Sequence, residues 1–309
     1  MRLASIDLGS NTVHLLVVDV AADGAWRIVE HDQRVTRLGE GVARSGRLGE
    51  MPMARTGDVV LEFARRAERA GARDVAIVAT SAVREAVNGA DFAAGLGRRA
   101  GHPVRVVSGD DEARLTLQGI LRGLRPAPRT LRTFDIGGGS TEYVLARDES
   151  VVAAVSLRLG VVPLAERYPF PGRVDAATYQ RLEDELRARL AAELPPAIRE
   201  AGAGALVGTA GTVTTLAALD LDLVTYDRDR VQGHRLPRAA IERLRDRLAA
   251  LDVAGRAALP CLEPGRADLI VPGVAIVLAT LDVLGVDTVV VSDWGLREGI
   301  MVDVADRPR

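Results

Sequence analysis

Apolar residues fill positions 3 to 8 and 13 to 20, and only a small polar turn, Gly9 to Thr12, separates them. That pattern predicts two strands joined by a tight connection. The segment "WRIVEHDQRVTRL" continues as strand material. Between 53 and 70 the period changes: Met53, Val60, Phe63, Ala64 and Ala67 fall on one helical face with Arg and Glu opposite. "DVAIVAT" (74 to 80) reads as a buried strand, and "SAVREAVNGADFAAGLGRRA" opens one or two helices. A strand "VRVVS" (104 to 108) then leads into the helix "DDEARLTLQGILRGL". "RPAPRT" (125 to 130) is the best linker candidate, because two prolines prevent regular structure there.

After that linker the plan starts over. "RTFDIGGGSTEYVLARD" repeats the strand, Asp, Gly-containing turn and strand of "RLASIDLGSNTVHLLVVDV", with Asp7 and Asp135 separated by 135 − 7 = 128 residues. A helix at about 175 to 200 follows, then "ALVGT" as a strand running into "AGTVTTLAALDL". A helix over roughly 238 to 251, the apolar "LIVPGVAIVLATLDVLG" and a final strand "DTVVVSD" complete the pattern. A duplicated α/β unit with matching turns predicts two similar domains, 1–125 and 126–309, facing one cleft, with the final segment free to pack back on the first.

Composition narrows the class. Hydrophobic residues are 48% and charged residues 27%, an ordinary balance for a globular enzyme, while aromatics at 3% leave the cores to aliphatic side chains. The formal net charge of −2 gives no general pull toward nucleic acid or an anionic membrane. Every cationic side chain is Arg and none is Lys, so phosphate contacts from charged residues must be Arg and a Lys mechanism is excluded. Cys261 is alone, which suits a reducing compartment, and "MRLASIDLGS" lacks a signal-peptide profile. The longest charge-free apolar run, Leu269 to Leu281, is too short for the roughly 20 residues of a spanning helix. A cytoplasmic protein is expected.

The chemistry concentrates in turns. Gly137, Gly138 and Gly139 remove every Cβ, so several N–H groups can approach one anion. Asp135 and Glu142 flank them with hard oxygen ligands of the kind Mg²⁺ takes. A hairpin turn alone does not require three adjacent glycines between acids, and the related turn at Asp7, with Ser10, Asn11 and Thr12, favours a functional reading. At "ATSAVREAVN", Ser81 opens a helix and Arg84 lies one turn on; alone, a cap and a solvated surface charge account for them. Ser108 and Asp111 make a capping pattern at "SGDDEARL", and Glu112 falls in the first turn. The helix dipole there favours an ionised carboxylate able to orient a water, although acids in first turns are common as dipole compensation. The glycines of "GTAGTVTTLAAL" suit either a phosphate or close helix–strand packing, and Trp294 of "VVSDWGLREGI" reads as packing. His14, His31, His102 and His234 show no metal spacing.

As a set, "IDLGSNTVHLLV", "ATSAVREAVN", "SGDDEARL", "DIGGGSTE", "SLRLG", "GTAGTVTTLAAL" and "VSDWGLREG" resemble the exopolyphosphatase and guanosine-pentaphosphatase (Ppx/GppA) family, in its order and over residues 3 to 299. The resemblance implies an α/β fold of two actin-like (ribonuclease H-like) domains holding a phosphate chain in the interdomain cleft. By position Glu112 matches the family's proposed general base. Asp135 and Glu142 fall at the acids associated with Mg²⁺ or another divalent cation, and Asp7 of the related turn is a further candidate metal ligand. Ser10, Asn11, Ser81, Arg84, Gly137, Gly138, Gly139 and Ser140 match phosphate contacts. It shifts the reading of Glu112 and Arg84 toward function. Longer members carry extra C-terminal helical domains, so a preference for short polyphosphates is expected here. The resemblance is compatible with a homodimer, to which no residue here points.

The leading expectation is Mg²⁺-assisted release of terminal orthophosphate from inorganic polyphosphate. The alternative substrate is guanosine pentaphosphate, ranked second because no segment reads as a guanine pocket. A sugar or small-molecule kinase needs an acceptor site that the sequence does not show. A non-catalytic phosphate or alarmone sensor would have no use for Glu112.

Overall fold

The computed structural model describes residues 1–306, which divide into two compact units: Met1–Gly119 together with the chain from Gly295 onward, and Ile120–Trp294. The first unit begins with β1 (Arg2–Leu8), β2 (Thr12–Val20) and β3 (Trp26–Val35), each antiparallel to the next. After α1 (Val42–Ser45) and α2 (Glu50–Arg69), β4 (Asp74–Ala79) pairs parallel with β1. The short α3 (Ser81–Glu85), α4 (Gly89–Ala100), β5 (Val104–Val106) and α5 (Gly109–Gly123) follow, and the sheet order is β3-β2-β1-β4-β5.

In β1 the two-residue period decides which face each side chain serves. Ala4, Ile6 and Leu8 join the core with Val60, Phe63 and Leu96 of α2 and α4. Leu3 belongs to the cluster on the opposite face with Leu115 of α5. Ser5 and Asp7 therefore share the α5 face.

The second unit repeats the arrangement. β6 (Thr130–Ile136), β7 (Thr141–Arg147) and β8 (Ser150–Leu157) are antiparallel, followed by α6 (Val161–Arg167), α7 (Ala176–Glu193) and α8 (Pro196–Arg199). β9 (Ala205–Thr209) returns parallel to β6 and runs into α9 (Ala210–Asp220). Then come α10 (Arg228–Val231), β10 (Arg235–Pro237), α11 (Arg238–Ala249), α12 (Val253–Ala257), α13 (Ile270–Leu284) and β11 (Thr288–Val291), in sheet order β10-β11-β9-β6-β7-β8. α13 is the apolar run of the sequence, buried in the single core of this unit. Arg256 is fully buried and donates to the carbonyls of Leu248, Phe170, Gly172 and Leu251, so four main-chain oxygens replace the water it lost.

The chain then re-enters the first unit as α14 (Leu296–Ala305), which packs on β1 through Leu296, Ile300 and Met301. The sequence patterns did not reveal this helix. It meets α5 backbone to backbone: a Cβ on Gly299 would stand 1.8 Å from the Leu115 carbonyl oxygen, and one on Gly119 would stand 1.9 Å from that of Gly295. Two α/β units on one strand plan make the fold actin-like, as expected. No described helix is long and apolar enough to cross a membrane.

Candidate functional site

In the first unit the parallel strands β1 and β4 both end at the loops that carry candidate residues. Ser10 and Asn11 form the β1–β2 turn, and both are buried. Their carbonyls are fixed by the following loop: Gly39 N–H donates to Ser10, while Thr36 and Arg37 N–H both donate to Asn11. The Ser10 hydroxyl accepts from Ala82 N–H at 3.1 Å, tying this turn to the start of α3. Ser81 is the first residue of α3 rather than its cap, and its hydroxyl donates to Glu85.

Glu112 lies in the first turn of α5 and is buried, at 7% exposure. The helix starts as the sequence predicts, with Ser108 accepting from Asp111 N–H at 3.1 Å. Arg84 sits on the base candidate: its Nη1 donates to Glu112 Oε2 at 2.8 Å and to the Val107 carbonyl at 3.0 Å. An ionised carboxylate buried to this degree requires such a partner.

Asp7 is the penultimate residue of β1, and burial pushes its carboxyl up from 3.8 to about 7, with Arg297 pulling it down and Glu298 pushing it up. Those two residues lie in the first turn of α14, which is anchored to β1 by the Ser5 hydroxyl donating to the Arg297 carbonyl at 3.0 Å. Glu298 accepts from Gly295 N–H and from Arg297 Nε. Sequence reasoning missed both as neighbours of Asp7, because their helix was itself unseen. The Oδ1 of Asp7 and the Oδ1 of Asn11 are buried without a hydrogen-bond partner among the described residues. Asp7 lies near the end of β1 and Asn11 in the turn that follows, and a buried carboxylate or amide oxygen without a partner is the donor type a hard cation takes.

In the second unit Asp135 and Glu142 are directly opposite across the β6–β7 pair and share a face. Glu142 is buried, and its Oε1 accepts from the hydroxyls of Ser140 and Ser156, each at 2.6 Å. None of Gly137, Gly138 and Gly139 has a positive φ, so the turn does not need glycine for its handedness. The glycine that close packing requires is Gly160, where an added Cβ would stand 2.3 Å from the Gly138 carbonyl oxygen. Val161 and Val162 N–H donate to the carbonyls of Gly137 and Gly138, while the N–H groups of Gly138 and Gly139 have no acceptor among the described residues. The loop therefore turns its carbonyls toward α6 and keeps two donors for an anion.

Other candidate segments divide between packing and strain. A Cβ on Gly208 would stand 2.6 Å from the Phe134 ring, and one on Gly211 would stand 2.1 Å from Arg266 Nη1. Ala210, between them, holds a left-handed φ of 68°. Trp294 packs against Gly123, in line with its reading as a packing residue. Two histidines have carboxylate partners: His102 meets Glu68 and His234 meets Asp220. No group of three or more His, Cys, Asp or Glu among the described residues stands ready to hold a metal unaided.

The chain matches the model described as the Ppx/GppA phosphatase family over residues 16–308. It is 36% identical to exopolyphosphatase 2 of Mycobacterium tuberculosis over 98% of each chain. Against exopolyphosphatase 1 of Mycobacterium leprae identity is 33%, over 99% of this chain and 90% of that one. Among solved structures, the Aquifex aeolicus member of the Ppx/GppA family aligns with a TM-score of 0.83 at 33% identity, covering 99% of this chain and 97% of the other.

Proposed function

Since the chain belongs to the Ppx/GppA phosphatase family, we propose that it is an exopolyphosphatase, releasing terminal orthophosphate from inorganic polyphosphate. The observation that carries this reading is the buried Glu112 held by Arg84 at the start of α5.

Glu112 holds a water through its carboxylate and takes the water's proton as the new P–O bond forms. The bridging anhydride oxygen leaves with the shortened chain. Phosphoryl transfer passes through a loose transition state, so an acid of modest basicity serves if it places the water well. In the second unit the donors of Gly138 and Gly139, with Ser140, are phosphate contacts; in the first unit Ser10, Asn11 and Ser81 are. Asp7, Asp135 and Glu142 are the residues that would hold Mg²⁺ or another divalent cation, which neutralises phosphate charge when bound.

The test is phosphate release from polyphosphates of defined length, guanosine pentaphosphate and ATP, each with and without Mg²⁺. Faster turnover of polyphosphate supports the reading. A clear preference for guanosine pentaphosphate transfers the same machinery to that substrate. No release from any of the three sinks it.

A further inference from the structure

We propose that Arg84 is the positioning residue that joins the water-activating carboxylate to the phosphate under attack, a role that rests on the reading of Glu112 as the base.

The guanidinium is divided in its use. Nη1 carries two hydrogens and has two acceptors, Glu112 Oε2 at 2.8 Å and the Val107 carbonyl at 3.0 Å. Nε and Nη2 have no partner among the described residues. These two form the side edge of the planar group, the edge that matches two oxygens of one phosphate. The Arg84 side chain is also more open than the acid it holds, 21% against 10%. So the committed nitrogen is satisfied inside the protein and the uncommitted edge remains accessible.

A rigid plane with one corner on the base and one edge for phosphate fixes the distance between them. The Val107 carbonyl adds a third point, anchoring the group to the main chain beyond β5, so little conformational freedom is left to lose when a phosphate binds. Lys has one nitrogen and cannot hold both partners in this geometry. Arg84 would then act on the chemical step through Glu112 as well as on binding.

The experiment compares Arg84→Lys in the wild-type and Glu112→Gln backgrounds, with kcat and KM for tripolyphosphate and for long-chain polyphosphate. In the wild-type background kcat falls about tenfold or more, beyond any rise in KM, because the water is misplaced. In the Glu112→Gln background the same change alters the residual kcat by less than about twofold, since the group it acts through is disabled. Free guanidinium ion added to Arg84→Ala restores part of kcat, a response that a merely structural arginine would not give. If Arg84→Lys raises KM alone, or lowers kcat equally in both backgrounds, Arg84 is only a phosphate contact; the inference is overturned and Glu112 keeps its role. If the wild-type enzyme releases no phosphate from polyphosphate, the functional reading falls and the inference falls with it.

Discussion

Gly160 is pressed against Gly138, with the position of its missing Cβ only 2.3 Å from the Gly138 carbonyl oxygen. The glycine loop is thus shaped from behind by the start of α6. Gly160→Ala should displace the loop and cost about 1–3 kcal/mol, as overpacking does. KM for polyphosphate should rise more than kcat falls. Gly172→Ala is the control, since nothing lies within 4 Å of its added Cβ. Equal kinetics for the two variants would show that the loop tolerates the displacement.

Glu112→Gln keeps the shape of the side chain and an oxygen for Arg84 while removing the base. The expected loss in kcat is about 10²- to 10⁴-fold. Tripolyphosphate binding, followed by calorimetry, should stay within about fivefold, because the phosphate donors are untouched. Near-normal turnover would remove Glu112 from the mechanism.

Asp7 predicts a pH signature. Its folded carboxyl is raised from 3.8 to about 7 by burial, so the folded state holds a proton that the unfolded state gives up between those values. The stabilising contribution is complete below about pH 4 and is lost as pH rises to about 7. Asp7→Asn should be flatter over that window, and more stable than wild type at pH 8 by up to about 4 kcal/mol in metal-free buffer. Magnesium should raise the melting temperature of wild type at pH 8 more than that of the variant, and a chelator should reverse the gain. Parallel pH curves for the two proteins would refute the assignment.

Arg256 makes a separate prediction about stability. Arg256→Leu leaves the Leu248, Phe170, Gly172 and Leu251 carbonyls without their shared donor. The cost should be about 3–5 kcal/mol, visible as a lower denaturation midpoint. Arg256→Lys should recover only a minority of it, because one ammonium cannot reach four carbonyls.

Strands whose side chains alternate between two faces, or that form continuous apolar runs, are legible in the amino-acid pattern: β1, β2, β4 and β9 all lie where that pattern puts them. α13 is legible as a buried helix for the same reason. β8 carries small apolar residues with little alternation, α6 is shorter than two full turns, and α14 has an interior glycine and two buried faces. None shows a period of its own, and each is specified by what packs against it. In the candidate site, Gly137 to Gly139 and their flanking acids stand out locally. The Arg84–Glu112 pair does not, because its partners are 28 residues apart and each looks like ordinary helix decoration until the strands bring them together.

The return of α14 to the first unit has a consequence for how the protein is made. Leu296, Ile300 and Met301 cover a face of the sheet formed by Leu3, Leu16, Val18 and Val78, the last of which precedes Leu296 by 296 − 78 = 218 residues, and Gly299 seats directly on the helix that carries Glu112. During synthesis that face and the back of α5 stay uncovered while the whole second unit emerges from the ribosome. The second unit can fold as an uninterrupted stretch, whereas the first must wait for the helix that follows it. A chain ending short of Gly295 would leave that apolar sheet face uncovered.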